Sequence, residues 1–371
     1  MSTLRSPLLS RKGAVEGSGP DAGVALHYGD PAHEQRALER GAGVVDLSQL
    51  GVVTVAGVDR ISWLNTLSSQ YLLDLAPGDP RELLLLDPNG RIEHAAAVQD
   101  DGERVWLITE GDRVAPLVAF LERMRFMLRV EVADASADVA VLGTCGTAWE
   151  SLGDLPGYVL TWRDPWPRTA PGGTRYGPPD DEHPGRDLHR ALTLVARDQL
   201  APAVDAAEAT GMRLAGTWAW EALRVEAWRP RIGRDVDERA IPHELDWLRT
   251  AVHLDKGCYR GQETVARVFN LGRPPRRLVM LHLDGSDHLV PDPGTAVVHD
   301  GRPVGTVTSV VRHGEIGPVA LALVKRSLPA DAVLDVGGVA AAQEVIVPAE
   351  GEAVGRPATR PGQELRRQRR P

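Results

Sequence analysis

The first half of the chain alternates short apolar runs with turn signals. The β-branched residues 52–55 and the continuous apolar run at 82–87 predict strands. The Pro-Asn-Gly sequence at 88–90 predicts a hairpin turn, with the second strand along residues 91–98. Other segments with the length and composition of strands lie at residues 104–109, 128–132, 138–142 and 191–196.

Other segments have the spacing of helices. Residues 58–67 carry Ile61 and Leu64 at helical spacing, and residues 202–209 begin with a proline, which the first turn of a helix tolerates. Residues 113–124 have apolar side chains at i, i+3, i+4 and i+7, namely Val114, Leu117, Val118 and Leu121. This mixture of strands and helices predicts an α+β fold.

Changes in composition divide the chain. Residues 1–23 predict a flexible N-terminal arm, residues 161–187 an irregular Pro/Gly-rich surface connection, and residues 349–371, rich in arginine, a disordered basic tail. We expect α+β subdomains at 24–160 and 188–274. A third subdomain at 275–348 should consist of strands separated by Gly, Pro and Asp turns, with apolar segments at 278–283, 295–298, 304–311, 319–324 and 344–347.

Composition and charge exclude several classes of protein. The 371 residues are 43% hydrophobic and 25% charged, which is enough for two or three ordinary domains. The formal net charge of -9 argues against a dedicated nucleic-acid binder, because phosphate contact needs a cationic face. The chain shows neither a signal-peptide core nor a membrane-spanning apolar window. We therefore expect a cytoplasmic monomer that binds neither membranes nor nucleic acid directly.

The chain has two cysteines, Cys145 and Cys258, which are far apart and have no C-x-x-C spacing. Neither a disulfide framework nor a zinc site is suggested, and one cysteine cannot hold an iron-sulfur cluster alone. A cysteine nucleophile with His243 or His253 as its base needs proximity in space, which the sequence does not establish.

Residues 256–263, with the sequence KGCYRGQE, combine features that no core strand or helix needs. In this KGCYRGQE segment, Gly257 and Gly261 bracket Cys258, and the cations Lys256, Arg260 and, just beyond it, Arg267 flank the thiol. We expect a tight loop that leads into a helix N-terminus, where unpaired N–H groups lower a thiol pKa and attract anions. The alternative is a Gly-rich connection whose cysteine is a small buried hydrophobe.

Residues 217–228 predict a helix that carries a glutamate on an apolar face. Thr217 can cap its N-terminus, and Glu226 shares a stripe with Ala219, Ala222 and Leu223. A carboxylate on such a face needs a partner. That partner is either a ligand or a nearby arginine, such as Arg224 or Arg229, in a structural salt bridge.

These segments together resemble one known superfamily. Arg-Val-Glu-Ala at 224–227, a Gly-x-Asp-x-Asp-Glu turn at 233–238 and Pro-x-Glu at 242–244 are similar to the glycine-cleavage T-protein, a tetrahydrofolate-dependent aminomethyltransferase. The KGCYRGQE segment resembles the hallmark of the YgfZ-type folate-binding branch. The resemblance covers residues 24–347, with further similar blocks at 43–48, 65–70, 84–92 and 301–309.

The resemblance implies a fold and a ligand. The fold is a cloverleaf of three subdomains around a central folate channel, with a C-terminal β-barrel, and the implied cofactor is tetrahydrofolate or a one-carbon derivative. Glu226 takes the pterin-binding position, where one carboxylate accepts two parallel ring donors. Lys256, Arg260 or Arg267 is implied to hold the carboxylates of the folate tail. Cys258 is implied to act as a functional thiolate.

One position departs from the T-protein pattern. The aspartate that orients the amine during transfer sits in a Gly-Gly-Ile-x-Asp-Asp block, and this chain has His94 and Ala95 where the two carboxylates belong. Neighbouring side chains of a strand point to opposite faces, so Glu93 cannot substitute. Aminomethyl transfer is therefore not expected.

Three functional hypotheses follow. The resemblance implies a folate-binding accessory protein with iron-sulfur proteins as clients, supporting cluster assembly or repair and iron-sulfur-dependent tRNA modification. The alternative is a tetrahydrofolate-dependent aminomethyltransferase or a related one-carbon transferase. The third is a binding module whose arginine-rich tail contacts RNA or an acidic partner.

Overall fold

The structure is a computed structural model that describes residues 4–286 and 289–357. Its strands are β1 (Val15–Glu16), β2 (Ala25–His27), β3 (Gly43–Asp46), β4 (Leu50–Ala56), β5 (Arg81–Leu86), β6 (Ile92–Asp100), β7 (Arg104–Glu110), β8 (Glu131–Asp134), β9 (Val139–Thr144), β10 (Tyr158–Arg163), β11 (Ala191–Ala196), β12 (Arg213–Ala215), β13 (Arg276–Leu283), β14 (Ala296–His299), β15 (Arg302–His313), β16 (Gly317–Lys325), β17 (Leu334–Val336) and β18 (Val339–Val345). Its helices are α1 (Pro31–Glu39), α2 (Arg60–Leu67), α3 (Val114–Met124), α4 (Leu200–Ala209), α5 (Thr217–Glu226), α6 (Ile232–Asp235), α7 (Leu248–Ala251) and α8 (Gln262–Asn270). This mixture confirms the predicted α+β class.

The first sheet has the strand order β5-β6-β7-β4-β8 and is antiparallel throughout. The predicted hairpin forms, with Leu84 opposite Ala95. Its strand β5 is continuously apolar because both of its faces are buried. Leu83 and Leu85 pack with residues of α2 and α3, whereas Leu84 and Leu86 pack in a central core that also contains barrel residues.

The second sheet has the order β10-β11-β9-β3-β12, in which β12 and β3 are parallel. It is built from both sides of the connection at 161–187, because β3, β9 and β10 come from the region predicted as the N-terminal subdomain. The predicted boundaries at 160 and 188 therefore do not separate two sheets. Apolar patterning identifies strands, but it does not specify which strands pair.

The last subdomain is a closed barrel, β13-β16-β15-β14-β17-β18. Its inward-facing apolar residues include Val279, Leu281 and Val324, and the opposite side of β13 contributes Leu278 and Met280 to the central core. The strands predicted after residue 275 match four of these, whereas the segment predicted at 344–347 overlaps only the end of β18. The short strand β17 was not predicted.

The three segments that were predicted to be flexible, irregular or disordered each contain buried residues. In the N-terminal arm, β1 pairs with β2, Leu8 is 1% exposed, and Asp21 is buried beside Arg231 and Arg234. The connection at 161–187 is largely irregular, as predicted, but it is not confined to the surface: Trp166, Tyr176 and His183 are buried. Aromatic side chains supply the buried area that the Pro/Gly pattern did not reveal.

The C-terminal boundary also moves. Ala353 is buried, and the backbone N–H of Val354 donates to the carbonyl of Arg175 at 2.9 Å, so the packed chain extends past the predicted limit at residue 349. The remainder of the predicted tail, residues 358–371, lies outside the described residues, as do residues 1–3.

The KGCYRGQE segment leads into α8, as predicted, and packs on the β5–β6 hairpin. Gly261 is the N-cap residue and has φ +84°. A Cβ at Gly261 would lie 2.6 Å from the carbonyl oxygen of Asp87, so this glycine permits close packing on the hairpin turn. Gly257 does not have a positive φ, and a Cβ there would meet no described atom within 4 Å. Of the two glycines, only Gly261 therefore needs the left-handed backbone that favours glycine.

The two glycines provide a matched pair of variants. Gly261→Ala should lower the free energy of unfolding by more than about 2 kcal/mol, because the left-handed backbone alone costs about 1 to 2 kcal/mol and the new Cβ clashes with a carbonyl. Gly257→Ala should change it by less than about 0.5 kcal/mol. Urea unfolding measures both, and equal effects of the two substitutions would contradict this assignment.

Candidate functional site

A cavity lies between the first sheet, the second sheet and α5; we call it the central cavity. Its apolar walls include Leu47, Ala95, Ile108, Trp162, Leu192 and Trp220, and its charged lining comprises Glu82, Glu110, Asp164, Arg190, Arg224, Arg229 and Arg231. Apolar walls with a few convergent polar groups are typical of a ligand site. The free space in this cavity is about 120 Å³.

Helix α5 supplies a buried ion pair next to the cavity. Glu221 and Arg224 lie three residues apart on one face of the helix, and the guanidinium donates from Nε to Glu221 Oε1 at 2.9 Å and from Nη2 to Oε2 at 3.0 Å. Arg224 also binds Asp235 at 2.7 Å and Ser309 of the barrel at 2.6 Å. Burial alone would raise the pKa of Glu221, but the surrounding arginines, Arg224 foremost, outweigh it and lower that pKa.

The loop after α5 binds the carboxylates that line the cavity. Arg229 donates to Glu82 of β5 at 2.5 Å and to Asp164 at 3.0 Å, and Arg231 donates to Glu110 of β7 at 2.7 and 2.9 Å. Burial acts to lower the pKa of Arg229, but the two carboxylates reverse this and raise it. Each carboxylate in the lining is therefore held by an arginine.

Strand β6 forms one wall of the central cavity, which we call the alanine wall. Ala95, Ala96 and Ala97 line the central cavity. His94 instead lines a separate cavity of about 550 Å³, and its ring lies 5.8 Å from that of Phe120. Burial, followed by the charge of Arg113, lowers the pKa of His94 to about 4. His94 is consequently neutral near pH 7.

Glu226 is not in the lining of the central cavity. Its side chain is 43% exposed and lies 3.1 Å from Nε2 of the buried His313. The predicted apolar slot and the predicted Arg224 or Arg229 salt bridge are both incorrect for this residue. Residues 219–225 of α5 are all buried, so an apolar stripe does not identify the face of the helix that meets the cavity. Thr217 is also not the N-cap residue, which is Gly216.

Lys256 is committed to backbone carbonyls and is not free for a folate tail. Its Nζ donates to the carbonyls of Asn65, Ser68 and Gln70 at 2.6 to 2.7 Å, and the residue is 6% exposed. Burial lowers the pKa of Lys256 to about 8, while the three acceptors favour its charged form. This ammonium group fixes the KGCYRGQE segment to the turn that follows α2.

The other predicted site residues lie on the outside of the same region. Arg260 is paired with Glu93 at 2.7 Å, and Arg267 is exposed on α8. Cys258 is exposed, whereas Cys145 is buried, and burial raises the pKa of Cys145 to about 12. The structure therefore does not bring Lys256, Arg260, Arg267 and Cys258 together with Glu226 in one site.

The cavity arginines were not predicted as a group, although the spacing of Arg224, Arg229 and Arg231 within eight residues was a signal.

Within the described part of the chain, no cluster of three or more His, Cys, Asp or Glu side chains is arranged to hold a metal ion. Among the described helices, none is both long and apolar enough to cross a membrane.

Comparisons with known proteins agree with this architecture. Residues 11–152 match the GCVT N-terminal domain, and residues 276–359 match the glycine cleavage T-protein C-terminal barrel domain. A chloroplastic protein of Arabidopsis thaliana, named as a transferase, is 26% identical over 77% of this chain and 66% of its own length. The aminomethyltransferase of Symbiobacterium thermophilum is 28% identical over 77% of this chain and 79% of its own.

A solved structure supports the same fold. The crystal structure of glycine cleavage system aminomethyltransferase T from Bartonella henselae superposes with a TM-score of 0.72 at 18% identity, covering 93% of this chain and 97% of that one. This confirms the predicted T-protein-like architecture with its C-terminal barrel.

The neutral state of His94 makes stability depend on pH. The unfolded chain binds a proton at this histidine near pH 6.5 and the folded chain only near pH 4. Burial of the neutral ring therefore does not reduce the free energy of unfolding above pH 6.5, and this free energy falls as the pH drops from 6.5 towards 4. The loss should be about 2 to 3 kcal/mol by pH 4. We expect His94→Asn to flatten the slope of unfolding free energy against pH in urea titrations. An unchanged slope would show that His94 titrates normally.

Proposed function

Since the chain belongs to the superfamily of the glycine cleavage T-protein, we propose that it binds a reduced folate, tetrahydrofolate or a one-carbon derivative, at the central cavity. The apolar walls formed by Trp162 and Trp220 suit a flat pterin ring, and the carboxylates Glu82 and Asp164 suit its ring N–H donors. Because the free space is about 120 Å³, we propose that the ring enters as the charged side chains rearrange and that the tail remains outside.

We propose that binding is not coupled to aminomethyl transfer. The observation that carries this proposal is the lining itself: Ala95 stands on the wall where the aminomethyltransferase pattern has a carboxylate, and the lining carboxylates are engaged by Arg229 and Arg231. The alanine wall therefore supports a binding role.

The cavity assignment is tested by filling it. Ala95→Leu should weaken tetrahydrofolate binding by at least about tenfold, or 1.4 kcal/mol, because the larger side chain occupies the space of the ring. Ala296→Leu, on an exposed position of β14, is the matched control and should bind normally. Isothermal titration calorimetry with tetrahydrofolate and its one-carbon forms measures each affinity.

The same titration tests Glu226, which the family resemblance makes the pterin acceptor. Because its carboxylate is half-exposed and bound to His313, we expect Glu226→Ala to change folate affinity by less than about threefold. A loss of about 1.5 to 3 kcal/mol, the scale of a charge-assisted hydrogen bond, would instead assign the pterin to Glu226.

For the cavity-filling test, normal folate binding by Ala95→Leu would contradict the assignment of the ligand to the central cavity.

We further propose that the protein is a cytoplasmic accessory factor with iron-sulfur proteins as clients, including those that modify tRNA. This rests on the resemblance of the KGCYRGQE segment to the YgfZ-type branch. The exposed position of Cys258 supports a contact with a client, because a buried thiol could not be reached. The structure gives Lys256 a different part in this proposal: it holds the loop that presents the thiol.

Cys258 should react where Cys145 does not. In the native protein we expect iodoacetamide to alkylate Cys258 at least about a hundredfold faster at neutral pH, because Cys145 is buried with a raised pKa. Peptide mass spectrometry separates the two sites.

Cys258→Ser should keep the fold and folate affinity and fail to restore iron-sulfur enzyme activity in cells that lack the protein. Full rescue by the serine variant would make this cysteine structural.

Aminomethyl transfer is the second candidate function, because relatives at 26 to 28% identity are named aminomethyltransferases. It predicts release of ammonia from a methylamine donor that depends on tetrahydrofolate. We expect no turnover from the wild-type chain. Folate-dependent turnover would establish the transferase and displace the binding role.

A further inference from the structure

Two arginines of the central cavity have buried N–H donors that no described group accepts. Nε of Arg190 and Nη1 of Arg229 are both inaccessible to solvent and without a hydrogen-bond acceptor among the described residues, and the same holds for the indole Nε1 of Trp247. All three residues line the cavity. Buried donors are normally paired, so three unpaired donors around one cavity point to a missing acceptor.

Arg190 differs from the other arginines of the lining. Its guanidinium carbon lies 3.9 Å from the ring centroid of Trp220, and within the described structure its side chain makes no ion pair with a carboxylate. Arg224, Arg229 and Arg231, in contrast, each bind at least two carboxylates. Arg190 is therefore a partly buried cation that is stacked on Trp220 and has, among the described residues, no carboxylate bound to it and no acceptor for its buried Nε.

Charges of both signs lie near Arg190. Burial is the main cause that lowers the pKa of Arg190 to about 10; Asp164, Cys145 and Glu221 act against it, and the positive charge of Arg229 acts with it. Asp164 is already hydrogen-bonded to Nε of Arg229, so it cannot also satisfy Arg190 fully. An anion near both guanidinium groups would accept from their unused N–H groups and reduce their mutual repulsion.

We propose that the central cavity binds a small carboxylate, of the size of formate or acetate, through Arg190 and Arg229. A carboxylate is planar, which suits the space beside the Trp220 ring, and its two oxygens match the paired donors of a guanidinium group. A free space of about 120 Å³ accommodates an ion of this size. The site goes beyond folate binding and does not require it, although both ligands would use the same cavity.

The test compares matched ions on the full-length protein. Calorimetry and thermal unfolding are recorded with sodium formate, sodium acetate, sodium chloride at equal ionic strength, and acetamide as the neutral counterpart of acetate. We expect saturable binding of formate and acetate with a rise in melting temperature, and no such effect of chloride or acetamide. Arg190→Gln should weaken carboxylate binding by at least tenfold, and Arg190→Lys, which keeps the charge but loses the planar fork, should weaken it less.

Arg163→Gln is the matched control, because Arg163 also stacks on a tryptophan, 5.3 Å from the Trp149 ring centroid, but is exposed outside the cavity. It should bind carboxylates within twofold of wild type. Effects that follow ionic strength alone, or equal carboxylate affinity in wild type and Arg190→Gln, would overturn the proposal. If Arg190→Gln fails to fold, Arg190→Lys with unchanged affinity for both formate and acetate would overturn it.

Tetrahydrofolate titrated into the same preparations separates this inference from the proposed function. Folate binding without a carboxylate response contradicts only the carboxylate site, and a carboxylate response without folate binding supports the site and contradicts only the folate proposal. If both ligands bind, acetate should weaken folate affinity, since the two compete for one cavity.

Discussion

The arrangement of the molecule depends on buried arginines from one short segment that bind carboxylates from separate parts of the chain. Arg224 joins α5 to Asp235 and to Ser309 of the barrel, and Arg229 joins Glu82 of the first sheet to Asp164 of the connection. Arg231 adds Glu110 and the N-terminal Asp21. Removing one partner of such a pair leaves a buried charge uncompensated, typically at a cost of about 3 to 5 kcal/mol. The network therefore fixes how the subdomains meet and which groups face the cavity.

This constraint also limits the chemistry of the cavity. Glu82, Glu110 and Asp164 each accept from an arginine, so the carboxylates that line the cavity are also the ones that hold the subdomains together. Ala95 lines the same cavity with a methyl group, which offers neither a charge nor a hydrogen bond. A ligand in this cavity would therefore meet apolar walls and carboxylates that are already bound to arginines.

Local patterns in the sequence predicted much of the fold but less of the site. The continuous apolar run of β5, the amphipathic stripe of α3 and the Pro-Asn-Gly turn each depend on neighbouring residues, and all three are present. Glu226 was misplaced because α5 is buried around most of its circumference, so its apolar stripe had no unique direction. The partners of Lys256 lie about 190 residues earlier, and no local pattern relates an ammonium group to distant backbone carbonyls.

The KGCYRGQE segment shows how a recognisable motif can carry structural and functional requirements together. Gly261 packs against the turn of the β5–β6 hairpin, and Lys256 anchors the loop to the turn after α2. The contact of Gly261 is made to the hairpin whose second strand, β6, lines the central cavity, whereas the contacts of Lys256 are made to the end of α2 and the turn after it. Cys258 lies between the two anchors and remains exposed. The two anchors therefore hold the loop that carries the thiol against the hairpin turn and the turn after α2.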